Sequence, residues 1–404
     1  MNLKRFHSAT TRPLLLIILC SIFAKNTRAQ QQVLWKFPTN AAIHSSAIIS
    51  ANLIYFGSAD SSLYALDKNT GKLKWKFKTN GKIHSSPAIH HNKVVFSSAD
   101  GKIYALNKDN GQITWTFQTN GEKVYDIWDY YISSPVINNN TVYIGSGDHH
   151  IYAINASTGK KLWAYQTNGI VHATPIVKDT VVYTGSYDGN LYALQSTTGK
   201  LIWKFKTVGD VSFPKGEIQK AAIIHNNAII FGSRDYNIYS LNLKTGTGNW
   251  NMKERGSWII ASPLLYKNNI YFGTSDTHRF YSMNAETGEI KWTLPLNMRV
   301  YGTAISINDQ IAFGCFNGKI YFVDPESGKV KSTFQTEESK KTYASIFDEQ
   351  DHLRKEIDLY GADYIKTEHS ILALGAILGS PLVENQMLYF GDTNGFFYAL
   401  KKLE

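Results

Sequence analysis

Short runs of alternating or β-branched apolar residues, each closed by a Gly, Asn or Asp turn, recur along this chain with a period near forty. The run YALDKNTGKLKW that starts at Tyr64 has counterparts starting at Tyr104, Tyr152, Tyr192, Tyr239, Tyr281, Tyr321 and Tyr398. In the second repeat, residues 83–89, 93–97, 103–106 and 113–118 read as four strands, the first made of small residues and the last carrying a Trp. Gly71, Gly111, Gly159, Gly199, Gly246, Gly288 and Gly328 share the turn before the fourth strand, where a positive backbone angle is expected.

A four-stranded unit of this size cannot bury its apolar faces alone, and stacking such units side by side produces a ring of blades. Eight sets of the first three strands are present, but the eighth has no fourth strand before Glu404. The surplus fourth strand is residues 33–39, ahead of the first complete set. The prediction is all-β: an eight-bladed β-propeller of four-stranded antiparallel blades, closed by the N-terminal strand pairing into the last blade. Trp35, Trp75, Trp115, Trp163, Trp203, Trp250 and Trp292 hold the repeated Trp position as structural docking residues, each contributing roughly 2 to 3 kcal/mol by burial. Ser332 replaces the eighth and predicts a weaker seam there.

Residues 1–29 change the starting point of the folded part. Lys4, Arg5 and Arg12 precede an apolar stretch over residues 14–24, and Thr27, Arg28 and Ala29 follow, which reads as a signal peptide cleaved after Ala29. A lipoprotein reading centred on Cys20 is disfavoured by Leu19 before it. The expected mature chain, residues 30–404, is then one propeller domain with an insertion at about 336–376. It has no further run long enough to span a bilayer, and Cys315 is its single cysteine. A net charge of about +5 after cleavage gives nucleic-acid binding little support.

The spacing Ala65-x-Asp67-x-x-Thr70-Gly71-x-x-x-Trp75, repeated at Ala105 to Trp115, Ala153 to Trp163 and Ala193 to Trp203, resembles the tryptophan-docking motif of the pyrroloquinoline quinone (PQQ) propeller family. That family, the quinoprotein alcohol dehydrogenase-like superfamily, includes dehydrogenases and also non-catalytic scaffolds, among them outer-membrane assembly factors of the BamB type. The resemblance implies the fold across the expected mature chain. For activity it implies less, since the adjacent cysteine pair typical of the dehydrogenases is missing and no calcium ligand or catalytic Asp can be placed.

Candidate chemistry therefore lies where the repeat is interrupted. The long departures are residues 121–131, 208–220 and 336–376, all in loops of one face, called here the insertion face. The first contains Tyr125, Trp128, Tyr130 and Tyr131, and Trp258 lies in another loop of that face. These aromatics suit a partner peptide or a sugar ring, or else form a local mini-core over the channel mouth. Residues 336–376 carry a net charge of about −4 and predict an amphipathic helix near residues 345–360. Lys220 replaces a Ser of the inner strand and is placed to meet an anion in the channel, the competing reading being an ordinary surface lysine.

His44, His84 and His172 align in blades 1, 2 and 4 and are weak candidates for metal ligands, with ordinary strand histidines as the simpler reading. Asp60, Asp100, Asp148, Asp188, Asp235, Asp276, Asn317 and Asn394 share one turn position, a uniformity expected of turn chemistry and not of catalysis. The sequence thus predicts no catalytic residue and no bound cofactor. It points to an exported scaffold, periplasmic, outer-membrane associated or secreted, that binds an envelope protein or other ligand on its insertion face. The alternatives are a small oxidoreductase using PQQ with calcium, and a carbohydrate-binding propeller.

Overall fold

The structure is a computed structural model and describes residues 31–401; the expected signal peptide and Cys20 lie outside the described residues. Eight four-stranded antiparallel sheets follow one another around a central channel. Blade 1 is Ile48–Ser50, Leu53–Gly57, Ser62–Asp67 and Leu73–Lys78, and the next six repeat this order. Blade 8 takes Leu382–Glu384, Met387–Gly391 and Phe396–Lys401 from the far end of the chain and Gln32–Pro38 from the near end. Gln32 faces Lys401 and Pro38 faces Phe396, so the ring closes through backbone pairing of distant segments, as predicted.

The seams between blades have one construction. The indole of each fourth strand lies on the turn glycine of the next blade: a Cβ placed on Gly199 would sit 2.7 Å from the Trp163 ring, and Gly199 also needs φ +70°. Trp163 Nε1 donates to the Ser196 carbonyl at 2.7 Å, and Tyr143 donates its hydroxyl to the same oxygen at 3.2 Å. Trp35, Trp75, Trp115, Trp203 and Trp292 make the same indole-to-carbonyl bond. Trp250 stacks on Gly288 while its buried Nε1 finds no acceptor among the described residues.

Ser332 has a geometric reason. Blade 8 has no turn between its third and fourth strands, because those strands come from opposite chain ends. An indole at 332 would therefore have no glycine turn to cover, and Ser332 Oγ instead accepts from Gln31 Nε2 at 2.9 Å.

Two expectations need correction. Regular pairing of the innermost strand begins at Ala88 and not at residue 83, leaving three paired residues, Ala88–His90. The preceding residues run beside the channel and bond across blades: Ser46, Ser86 and Ser134 donate their amides to the hydroxyls of Ser86, Ser134 and Thr174 at 2.9 to 3.2 Å. The second correction concerns residues 336–376. Helices form at Glu337–Thr342 (α1) and Tyr364–Leu372 (α2), flanking the segment predicted as helical. Between them, after a short 3-10 turn at Tyr343–Ser345, the chain folds back through a Phe347–Leu353 bridge. Phe347 and Ile346 are buried, and Leu353 and Ile357 pack beside them on the propeller. Their spacing of apolar residues serves a folded-back loop, since burial and not local propensity sets its course.

Each outer strand carries a bulge just before its Trp or Ser position, for example between Leu73 and Trp75 and between Val330 and Ser332. A bulge twists an edge strand out of register for pairing with another chain, which protects the eight exposed edges.

Removing residues 31–40 takes away both the closing strand and the Trp35 seam, so the truncated protein is expected to unfold or oligomerise; a monomer melting with the full chain would refute closure. Gly199→Ala should cost about 2 kcal/mol in urea unfolding, from the positive φ and the Trp163 contact together.

Candidate functional site

All three interruptions of the repeat meet on one face. Tyr125 from the first donates to Glu217 of the second at 2.7 Å, and Gln219 Nε2 donates to the Trp128 carbonyl at 3.2 Å. Tyr130 donates to Glu368 on α2, which also accepts from Arg299 Nη1 at 2.6 Å. Trp128 stacks on Tyr364 with ring centres 5.7 Å apart and meets Trp258 edge-on, also at 5.7 Å. Arg234 is fully buried: it pairs with Asp126, donates Nε to Gln219 at 3.1 Å, and lies 4.3 Å over the Trp258 ring. The interruptions therefore form a cap over the channel mouth.

This geometry sorts the aromatic candidates. Tyr130, Tyr131 and Trp258 are buried in the cap's own core, and the faces of Trp128 and Trp258 are taken by Tyr364 and Arg234. Trp258 is therefore closed to a sugar ring, and Trp128 is half-buried with one face on Tyr364. Tyr125 remains 38% exposed, beside Val124 at 73% and Ile127 at 37%.

A cleft of about 330 Å³ stays open between the first interruption and α2. Its walls include Val124, Ile127, Ile365 and Leu372, Lys82 and Lys123 also line it, and it reaches His44, His84 and His172. The position before each turn carboxylate differs between blades, and Ala99 in that place lines the cleft. Blades 1 to 3 have Ala59, Ala99 and Gly147 there, whereas blades 4, 5 and 7 have Tyr187, Arg234 and Phe316, all buried. That break in the repeat was the available signal for Arg234 and Tyr187, which sequence reasoning missed. Asp129, Glu122, Glu217 and Glu368 gave none, because their partners come from distant segments.

The three aligned histidines diverge. His172 faces carboxylates on both sides, Asp129 at 3.0 Å and Glu122 at 2.7 Å, so both ring nitrogens donate and the ring is an imidazolium. Burial pushes its pKa down, but the two carboxylates outweigh that and raise it to about 10. Asp129 accepts in addition from Tyr187 at 2.6 Å and the Tyr125 amide at 2.9 Å. Burial pushes its carboxyl up, while the His172 charge and these bonds hold it below its ordinary value. His44 donates Nδ1–H to the Tyr130 carbonyl at 3.2 Å, and burial lowers its pKa to about 4. His84 lies 4.5 Å from His44 with the rings tilted at 48°, and its buried Nε2 has no hydrogen-bond partner among the described residues; burial and the neighbouring His44 hold it well below its ordinary range.

The turn carboxylates behave as turn chemistry in blades 1 to 5. Asp60 accepts from the Ser62 amide at 2.9 Å and the Tyr64 hydroxyl at 2.5 Å, and it holds the incoming Asn40 amide at 3.2 Å. Blades 6 and 8 depart from the expected uniformity. Glu254 takes the Tyr281 hydroxyl at 3.0 Å and Asp392 that of Tyr398 at 3.0 Å, which leaves Asp276 to accept from Tyr360 of the third interruption.

The donor set can be tested against PQQ and calcium. A quinone with three carboxylates needs cationic partners, and calcium needs six to eight oxygens. The two buried arginines are already paired with Asp126 and Glu368, and Asp129 and Glu122 are held by His172, which leaves Lys220 in the channel without an acidic partner against three carboxylates. Among the described residues no group of three His, Cys, Asp or Glu side chains is arranged to hold a metal ion. Cys315 is buried, and burial pushes its thiol up to about 12. These residues, so arranged, do not fit the pair.

An eight-bladed ring with tryptophan-on-glycine seams and a capped channel mouth defines a propeller of the PQQ-repeat class. The sequence model of the family described as "Outer membrane protein assembly factor BamB" matches residues 24–128, 126–255 and 215–346, more than half the chain. The chain belongs to that family. Among solved structures, BamB from Moraxella catarrhalis is similar with a TM-score of 0.69 at 15% identity, covering 92% of this chain and 100% of that one. Quinohemoprotein alcohol dehydrogenase from Comamonas testosteroni is similar with a TM-score of 0.71 at 12% identity, covering 94% and 77%. A europium-containing methanol dehydrogenase gives 0.68 at 12%, covering 92% and 93%. At these identities the likeness shows the fold alone. No curated protein sequence matches this chain.

Because the His172 pKa is raised, its contribution to stability is complete below its unfolded pKa of about 6.5 and fades as pH rises towards about 10. His172→Gln should therefore cost about 3 to 5 kcal/mol at pH 6, as expected for breaking a buried pair, with the gap to the parent narrowing by pH 10 in urea melts. A gap that does not change with pH would refute the charged pair.

Proposed function

We propose that this protein is an exported, non-enzymatic propeller scaffold of the cell envelope that binds a polypeptide partner on its insertion face, in a role like that of BamB. The cleft beside α2 carries this reading. Apolar side chains from two interruptions stay exposed around one concave space there instead of packing into the cap: Val124 at 73%, Ile365 at 47% and Ile127 at 37%. Lys82 and Lys123 line the same cleft, and its acidic lining residues are held by His172, Arg234 and Arg299, which favours a partner segment that is chiefly apolar. Family membership supports an envelope setting, and among the described residues no helix is long and apolar enough to cross a membrane.

A rigid cap with a ready-made groove suits binding better than turnover. Its buried carboxylates Asp126, Asp129, Glu122 and Glu368 are already paired with Arg234, His172 and Arg299, an arrangement that fixes the cap's shape. The structural likeness to the alcohol dehydrogenases extends to the propeller, and the donor groups at the channel mouth do not suit PQQ with calcium.

Affinity capture from envelope membranes, with the parent and with Val124→Asp/Ile127→Asp, tests the proposal. Outer-membrane assembly components should be recovered with the parent and fall at least tenfold with the exposed-site variant. Equal recovery would refute the cleft, and recovery of none would refute the role. Added PQQ and calcium should produce no quinone absorbance and no dye-coupled oxidation of alcohols.

A further inference from the structure

Inside the channel, the hydroxyl-to-amide ring that links neighbouring blades is incomplete. It runs from Thr303 through Ser380, Ser46, Ser86 and Ser134 to the Thr174 hydroxyl, with amide-to-hydroxyl distances of 2.9 to 3.2 Å. Among the described residues no such bond joins Thr174 to Ala221, Ala221 to Ser262, or Ser262 to Thr303. Ala221 lacks the hydroxyl that the repeat supplies elsewhere. The residue before it is Lys220, standing where blades 1, 2 and 3 have Ser45, Ser85 and Ser133, whose hydroxyls bond the backbone of their own blades.

Lys220 reaches into a chamber of about 190 Å³ that the broken side of this ring lines together with His44 and His84. None of the lining residues is acidic. The Lys220 ammonium instead rests on the face of Tyr131, 3.3 Å from the ring centre. His84, whose buried Nε2 has no hydrogen-bond partner among the described residues, lines the same chamber. A half-buried cation without a counter-charge, beside an unsatisfied imidazole and free hydroxyls, costs stability and is retained only with a compensating ligand or role.

We infer that the channel holds a binding site for a small oxyanion of the phosphate or carboxylate kind, gripped by Lys220 and His84 and completed by the hydroxyls of Ser262 and Thr303 on the open side of the ring. The chamber shares His44, His84, Tyr131, Ile132 and His172 with the cleft under the cap, which gives an entry route from the insertion face. The site does not depend on the scaffold reading, since a free anion and a partner's terminal carboxylate present the same chemistry.

Binding should be linked to protons. Enclosure pushes Lys220 down to about 7, His44 and His84 are held neutral, and an anion would favour the charged form of each. The other charged groups facing this space are His172, already an imidazolium neutralised by Glu122 and Asp129, and Lys82, which acts on both His44 and His84.

Calorimetric titration of the full chain with inorganic phosphate, sulfate and acetate tests the inference, repeated at pH 6 and pH 8.5 and in buffers of different ionisation enthalpy. The parent should bind phosphate at least tenfold more tightly at pH 6 than at pH 8.5, with net proton uptake. Lys220→Met should lose at least tenfold in affinity, and Lys220→Arg should recover most of it. A peptide ending in a free carboxylate that competes with phosphate, where its amidated form does not, would assign the source to a partner's terminus; phosphate binding without such competition would assign it to a free anion. Absence of binding by all three anions in the parent, or equal binding by Lys220→Met, would overturn the site. Because Lys220→Met removes a half-buried charge, it is expected to fold, and a melting point at or above the parent's without anion shows that its loss of binding is specific.

Discussion

The contact between an indole and a glycine turn governs this structure. Each Trp of a fourth strand needs a flat surface to lie on, and only a turn residue without a Cβ offers one at this distance, as Trp163 on Gly199 shows. The indole nitrogen then satisfies a carbonyl of the next blade, so one side chain supplies both apolar burial and a directional bond. Repetition of this contact sets the angle between blades and hence the number that closes the ring. Where the next blade has no such turn, at Ser332, the Trp is lost, and closure passes to backbone pairing of Gln32–Pro38 with Phe396–Lys401.

A ring built this way has interchangeable blades, and differences between them can be carried only by what is added. The additions here converge on one face, lock one another through bonds such as Tyr125 with Glu217 and Tyr130 with Glu368, and are tied to the ring by Arg234 with Asp126 and Arg299 with Glu368. Buried pairs of this kind specify arrangement more than they stabilise it, since desolvation takes back much of their attraction. The cap is thus a shaped lid, and the groove beside α2 opens over the small turn residue Ala99.

The fold was legible in the sequence because each repeat states it again. Spacing of the Tyr, Gly and Trp positions gave the blades, and the surplus strand at residues 33–39 gave the closure. The inner strand was read as too long, because Pro87 and its counterparts precede only three paired residues and the small residues before them bond across blades. The cap was legible only in outline. Periodicity placed its insertions on one face, but the helix expected near residues 345–360 is a folded-back loop, since Ile346 and Phe347 are drawn into a core formed by residues far away in sequence. The histidines were aligned correctly and share the channel mouth, yet their charge states differ because Asp129 and Glu122 reach only His172.

The central claim is that the protein works through the face where its repeat is interrupted, with the opposite face serving the seams. A photo-crosslinking residue placed in turn at Ile127 in the cleft and at Asn69 in an opposite-face turn, in cells exporting the full chain, examines this most directly. Crosslinks to an envelope protein from position 127 and none from position 69 are the expected result. Crosslinks from position 69 alone would contradict it.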